Sequence, residues 1–476
     1  MSVDAQQVDI VIIGGGIAGL SAAWTLRDHN VLLLEQRSRF GGRIKSVRHG
    51  DYWANVGAQM FPGDETRIGQ LALELGLPAI PIPGVIHGVA VNDRIYAPKR
   101  MEAMPLVLPL TLKERFAFAR AGLRLQSGVR RYHKVAARGL GDSDVDFRQR
   151  VITFESERTF AEFLGPLPGV VDGLFRNVAR RTVAEPEVLS AGAGLALFSD
   201  VMGKKSSSAT FTRALVGGTG SIPEAIEQRL GDKLVSGAHV SHVAVDEQGV
   251  RVSYVKDGRA SEVRARFAVI AAPAGVAGEI LDPRFTELKS ALKSIKYGAF
   301  LAMAVFTDEV GAQDWDSLYA VATPGLSFDF VFNHASPLRT GHRRAGGSFM
   351  VFAGGPRAAE MIETLDDAQI TERYLADLHR LLPGTKGHVV DTMVQRWPLG
   401  NIVATPGRAR LQPILENGVP GDRVQLAGDY FAHLGGMEPA TRTGIAAAER
   451  IRAAIAEETR EPVGGESRDE DTAVRP

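Results

Sequence analysis

The chain has 476 residues, roughly three of the ~150-residue units in which hydrophobic cores are built, so it is long enough for two or more cores. Hydrophobic residues make up 45% and charged residues 23%, which excludes disordered, collagen-like and coiled-coil chains. Lys+Arg and Asp+Glu each number 55, so no net field draws the whole molecule to nucleic acid; with no Cys there is no disulfide, thiolate nucleophile or cysteinyl-tethered cofactor.

The first element is the apolar, β-branched run Val8 to Ile13, the pattern of a parallel strand buried on both faces. No cationic segment precedes it and three glycines end it, so it does not read as a signal peptide. Helix-forming residues from Ala18 to Arg27 follow, then a second apolar run, Val31 to Leu34, closed by Glu35. Helical patterns occupy the middle, at Leu112 to Leu125 and Val170 to Leu189, joined by Pro-containing turns. Strand patterns return at Val250 to Tyr254, Phe267 to Ala271, Ala299 to Phe306, Phe328 to Phe332, Ser348 to Phe352 and Arg423 to Ala427, and a helix is predicted from Pro439 to Ile455. No stretch reaches the 18 or so apolar residues that span a bilayer, so the expected location is the cytoplasm or at most a membrane surface.

Between the first strand and helix lies Gly14-Gly15-Gly16-Ile17-Ala18-Gly19, which fits G-x-G-x-x-G. Gly14 allows the tight turn, Gly16 lets a pyrophosphate touch backbone at the helix N-terminus, and Gly19 lets helix pack on strand. Glu35 stands 21 residues after Gly14, where a carboxylate accepts from ribose hydroxyls. Strand, glycine turn, helix, strand and acid together predict a dinucleotide site.

The stretch Glu35-Gln36-Arg37-Ser38-Arg39-Phe40-Gly41-Gly42-Arg43 resembles the E-x-R-x-x-x-G-G-R signature of the superfamily of flavin amine oxidases, protoporphyrinogen oxidases and phytoene desaturases. The resemblance implies FAD, with Glu35 on the adenosine ribose and Arg43 at the pyrophosphate, and Arg37 and Gly42 in the same turn. It continues through Val56-Gly57-Ala58-Gln59-Met60, which matches the segment passing the isoalloxazine ring, and Val240, which matches a Val packing on adenine. Near the C-terminus, Leu426-Ala427-Gly428-Asp429 resembles the A-G-D whose Asp accepts from the ribityl or pyrophosphate region. Met437-Glu438-Pro439 resembles the start of a helix whose positive end faces the flavin pyrimidine edge.

The resemblance implies an α/β fold: a Rossmann-like FAD-binding domain assembled from residues 1–85, 212–290 and 391–456, with an inserted α+β substrate domain of residues 86–211 and 291–390 under a helical cap. Residues 457–476, which lack apolar periodicity, read as a disordered tail. Amine oxidases of this superfamily carry a strand Lys where this chain has Ala302, and a ring where it has Gly436. The segments Thr159 to Leu164, Ala184 to Ala191 and Arg396-Trp397-Pro398 resemble the protoporphyrinogen oxidase and desaturase branch instead. The expected reaction is therefore hydride removal from a C–H bond of a lipophilic or polycyclic molecule, the alternatives being an amine or amino-acid oxidase and a non-catalytic FAD-stabilised scaffold.

Residues 104–138 carry eight cations against one acid, a local charge of +7, beside Leu106, Val107, Leu108 and Leu110. Such a segment suits peripheral contact with anionic lipid; the plainer reading is a solvated helix face with its apolar side chains turned to the core. The histidines lack metal-ligand spacing, and no metal site is expected. His433, between Asp429 and Met437, is placed to approach a flavin as an acid-base group. Neither the electron acceptor, oxygen or quinone, nor a histidyl link to FAD is legible.

Overall fold

The computed structural model describes residues 6–59, 61, 63–82, 85–98, 103–202, 213–339, 343–421 and 423–460. Two seven-stranded sheets organise it. In the first, Gln6–Ile13 lies parallel between Val31–Leu34 and the long strand Arg259–Ile270. That long strand changes neighbours along its length: its first part pairs antiparallel with Gly249–Lys256, and Ala268 to Ile270 pair parallel with Val424–Leu426. Segments from both ends of the chain thus share one sheet, as expected for the Rossmann-like domain.

Close backbone contact locks those ends together. A Cβ on Gly19 would collide with the carbonyl oxygen of Gly14, and one on Gly444 would collide with that of Ala18. Only hydrogen fits at either point, so the helix Ile17–Thr25 lies tight against its own strand and against the terminal helix Met437–Arg460.

The second sheet runs in the order Val389–Ile402, Tyr297–Thr307, Gly347–Gly354, Phe330–Asn333, Leu318–Ala322, Val85–Val91, Arg94–Tyr96. Period-2 alternation divides its faces. Leu301, Met303 and Val305 pack under the helices Pro356–Thr364 and Asp367–Leu381, whereas Ala302, Ala304, Phe330, Phe332 and Phe352 share a core with the helical cap. The fold class expected from the sequence is the one observed.

Three boundaries differ from expectation. Val389–Ile402 hydrogen-bonds to Tyr297–Thr307 across nearly its whole length, so residues 391–402 join the second sheet rather than the cofactor domain. The helix expected from Val170 to Leu189 spans Gly169–Ala179, followed by a short 3-10 turn, because Val183 takes a left-handed φ of 56° and Pro186 cannot prolong it. The terminal helix runs to Arg460, which makes residues 457–460 helical, while the rest of the proposed tail lies outside the described residues. Among the described residues, no helix is long and apolar enough to cross a membrane.

Candidate cofactor and substrate site

The glycine turn is built as a phosphate cradle. The helix Ile17–Thr25 begins after Gly16 with no side chain capping its N-terminus and no acid in its first turn, so its leading N–H groups are not claimed by a side chain. Nothing lies within 4 Å of a Cβ placed on Gly16, so the space beside that backbone is open. Glu35 accepts from the N–H of Gly15 at 2.6 Å and of Arg37 at 2.8 Å, one bond on each oxygen, which leaves lone pairs for ribose hydroxyls. The strand that contains Val240 starts beside this turn, since Ala238 donates to the Glu35 carbonyl at 2.8 Å, and Val240 is buried.

The second turn folds back on the first. Gly41 bridges Gly16, and Gly41 and Gly42 both hold left-handed backbone, with φ of 102° and 54°. The Arg39 guanidinium donates to the carbonyls of Phe40, Gly42 and Ile44 and so holds the turn shut. Arg37 instead lies over the Trp397 ring at 5.6 Å. Arg43 pairs with Asp429 at 2.8 Å; burial alone lowers the guanidinium pKa, but the Asp429 charge and hydrogen bond more than offset it and the net shift is upward. Behind the pair, Tyr297 is pushed up to about 12 by burial and by Asp429.

Residues 57–59 are fastened on both sides. Ala58 donates to the Arg43 carbonyl at 2.9 Å, and Thr219 donates through its hydroxyl to the Ala58 carbonyl at 2.7 Å. A Cβ on Gly57 would strike the Arg43 carbonyl. Gly428 donates to the Thr443 hydroxyl at 3.0 Å, and Met437 is buried at the start of the terminal helix. Met60 lies outside the described residues. An uncapped helix end, open backbone, a ribose acceptor and the Arg43–Asp429 pair fit FAD; the resemblance implies that Gly14, Gly16, Ala18, Gly19, Glu35, Arg37, Gly42, Arg43, Gly57, Ala58, Gln59, Val240, Gly428, Asp429 and Met437 would hold it.

Beyond Gln59 the site continues into the second sheet through residues the motifs did not single out. His334 accepts through Nδ1 from the Asn55 N–H at 3.2 Å, so its proton sits on Nε2, which donates to Gln59 Oε1 at 3.1 Å. Burial pushes His334 down to about 3, so it is neutral at physiological pH. Its ring stacks on Phe332, and Phe332 and Phe330 both stack on Phe352, which makes an aromatic tier. Gln395, Ala302, Phe352, Phe330 and Ala322 are successive partners across the strands and share one rung. Lys45 donates to Gln395 Oε1 at 2.7 Å, which brings an amino group to that rung beside Ala302. Its pKa is lowered, first by burial and then by Arg39 and Arg37.

The structure places His433 in the interior. It is buried, neither ring nitrogen has a hydrogen-bond partner, and burial with the nearby Arg408 charge pushes it down to about 3. A ring held neutral in this way is not an imidazolium acid at neutral pH.

The sequence model for flavin containing amine oxidoreductases matches residues 17–452. The chain belongs to that family, and its cofactor is FAD. This flavin amine oxidoreductase is 40% identical over 75 residues to the probable flavin-containing monoamine oxidase A of Dictyostelium discoideum, 15% of this chain and 16% of that one. It is 43% identical over 98 residues to amine oxidase [flavin-containing] A of Canis lupus familiaris, 20% of this chain and 17% of that one. These matches span less than a fifth of the curated relatives. Solved structures match at full length: wild-type putrescine oxidase bound to putrescine has a TM-score of 0.73 at 19% identity, covering 94% of this chain and 100% of that one. Cyclohexylamine oxidase from Brevibacterium oxydans matches at 20% identity, covering 95% and 100%; at such identity the likeness is one of fold.

Proposed function

We propose that the chain is an FAD-dependent oxidoreductase that dehydrogenates a lipophilic amine at the carbon bearing nitrogen, forming an imine. Membership of the flavin containing amine oxidoreductase family across residues 17–452 is the observation that carries the amine. The aromatic tier supports the lipophilic part: Phe330, Phe332 and Phe352 offer an apolar surface that ends at His334 and Gln59. When bound, FAD supplies the electron sink, accepting a hydride equivalent from the substrate carbon.

The chain's own groups bind, orient and keep water out. The neutral His334 fixes Gln59 through its Nε2 proton, so the Gln59 amide nitrogen stays free to donate. Lys45 brings an ammonium to the rung where the superfamily's strand lysine would stand and Ala302 stands instead. A deprotonated amine is the form that can yield a C–H hydrogen as hydride. One hydrogen leaves carbon with two electrons, the nitrogen proton leaves to solvent, and C=N forms. Dioxygen is the proposed acceptor, and oxygen uptake during turnover separates it from a quinone.

A second reading, hydride removal from a lipophilic molecule without an amine, is favoured by Ala302 and Gly436 standing where amine oxidases place a lysine and a ring. Anaerobic titration of the holoenzyme decides between them by loss of the oxidised flavin band near ~450 nm. Bleaching by hydrophobic primary amines is the expected result. Bleaching by non-amine polycycles alone would move the chain to the desaturase-like branch, and none by any compound would leave a flavin-bearing scaffold.

A further inference from the structure

The helical cap exposes a face that its core does not explain. The basic helix Leu112–Val135 buries Ala117, Ala121, Leu125, Gly128 and Val129 against the rest of the cap. A Cβ on Gly128 would crowd Phe163 and Leu195, so that side is packed to contact. On the opposite side Leu112 is 87% exposed, Phe116 72% and Leu123 69%, and in the short preceding helix Met104–Val107, Leu106 is 77% exposed. At about 100° per residue, Leu112, Phe116 and Leu123 fall within about 40° of one another, a single apolar stripe facing solvent.

Cations frame the stripe. Arg130 and Lys134 continue it along the same face, and Lys113, Arg120 and Arg124 run along one flank. Among the described residues, Lys113, Arg130 and Lys134 have no carboxylate partner, and Arg115, Arg120 and Arg124 donate to backbone carbonyls of Pro105, Leu108, Pro166 and Leu164, which leaves their charge uncompensated. Among the described residues, only Arg131 and Arg138 of this helix and its exit meet acids, Glu155 and Asp144. The whole chain is neutral, so this field is local.

We propose that this face docks on an anionic lipid bilayer, with Leu106, Leu112, Phe116 and Leu123 entering the headgroup boundary and the unpaired cations meeting lipid phosphates. A convex helix with aliphatic and aromatic tips ringed by uncompensated Lys and Arg is complementary to a soft, negatively charged surface. One core joins Ala121, Leu125 and Val129 of this helix to Phe330, Phe332 and Phe352, so docking seats the cap over the aromatic tier against the membrane.

Co-sedimentation of the holoenzyme with phosphatidylcholine vesicles, with and without about one third phosphatidylglycerol, tests this. The enzyme should pellet with the anionic vesicles and be released by salt. Phe116→Ser with Leu123→Ser should weaken that binding roughly tenfold, and Arg130→Gln with Lys134→Gln should do so while flattening the salt dependence. Both variants should keep the melting temperature and flavin content of the parent, because the four side chains are exposed. Equal partition of parent and variants, or no binding to anionic vesicles at low salt, overturns the proposal. So does a concentration-dependent dimer that the Phe116→Ser and Leu123→Ser changes dissolve without any vesicle binding, which would make the stripe a self-association face.

Discussion

Arg43 and Asp429 lie 386 positions apart in the chain and meet at 2.8 Å. The pair ties the glycine turn after the second strand to the loop before the terminal helix, the two stretches that frame the cofactor. Asp429 is 4% exposed, so removing its partner strands a buried carboxylate. Arg43→Met should destabilise the protein by about 3 kcal/mol, the low end for such pairs because the Arg43 side chain is 30% exposed. Adding Asp429→Asn should recover part of that loss. Urea denaturation of the four members of the cycle, with flavin retention on gel filtration, measures both effects.

His334 and His433 make the native state acid-sensitive. Each ring stays neutral down to about 3 when folded, whereas the ordinary value is 6.5. The unfolded chain therefore binds protons that the folded one refuses, and stability is full above 6.5 and falls as pH drops from there toward 3. The slope should approach about 1.4 kcal/mol per pH unit per ring. Denaturation midpoints followed downward from neutral pH should show this loss, and His433→Gln should reduce its slope by about half. An unchanged slope in that variant would contradict the buried neutral ring.

Glycine substitutions separate packing need from helix propensity. Gly444→Ala places a methyl against the Ala18 carbonyl and should prevent the terminal helix from seating, with loss of bound flavin and several degrees of melting temperature. Gly122→Ala, in the middle of the basic helix with nothing within 4 Å of its Cβ, should raise stability by up to about 1 kcal/mol. Calorimetry of the two variants checks the contrast.

Lys45→Met should lower kcat/KM for amines roughly 10²-fold with little change in melting temperature, since the residue is half-buried and, among the described residues, its side chain hydrogen-bonds only Gln395. Burial and the two nearby arginines depress the Lys45 pKa, so the alkaline limb of the pH profile should lie below the ordinary 10.5 and vanish in the variant. Lys45→Arg should extend activity to higher pH. A profile unchanged in Lys45→Met would remove Lys45 from the reaction.

The cofactor half of the site was legible because its geometry is local. Gly14, Gly16 and Gly19 lie within one turn and one helix start, and Glu35 ends the adjacent strand, so spacing along the chain stands for distance in space. The substrate half was not. Lys45, Ala302, Phe352 and Gln395 converge on one rung from four separate segments, and no spacing relates them. Closeness in sequence to Asp429 and Met437 suggested a flavin approach for His433, but not that its ring is buried beside the Arg408 charge. Residues 391–402, expected with the cofactor domain, belong to a long half-exposed strand of weak alternation, and only its hydrogen bonds to Tyr297–Thr307 reveal its sheet.

The amino-acid order alone determined the dinucleotide turn and the ribose acid, which rest on short-range rules of backbone sterics and period, and its resemblance to a known superfamily implied the two-sheet class and the flavin. Tertiary structure decided which charges pair, which histidines are buried and neutral, which amino group meets the Gln395 rung, and which apolar side chains of the basic helix stay outside. Those outcomes depend on burial and on contacts between segments hundreds of residues apart, and such contacts exist only once the chain has closed on itself.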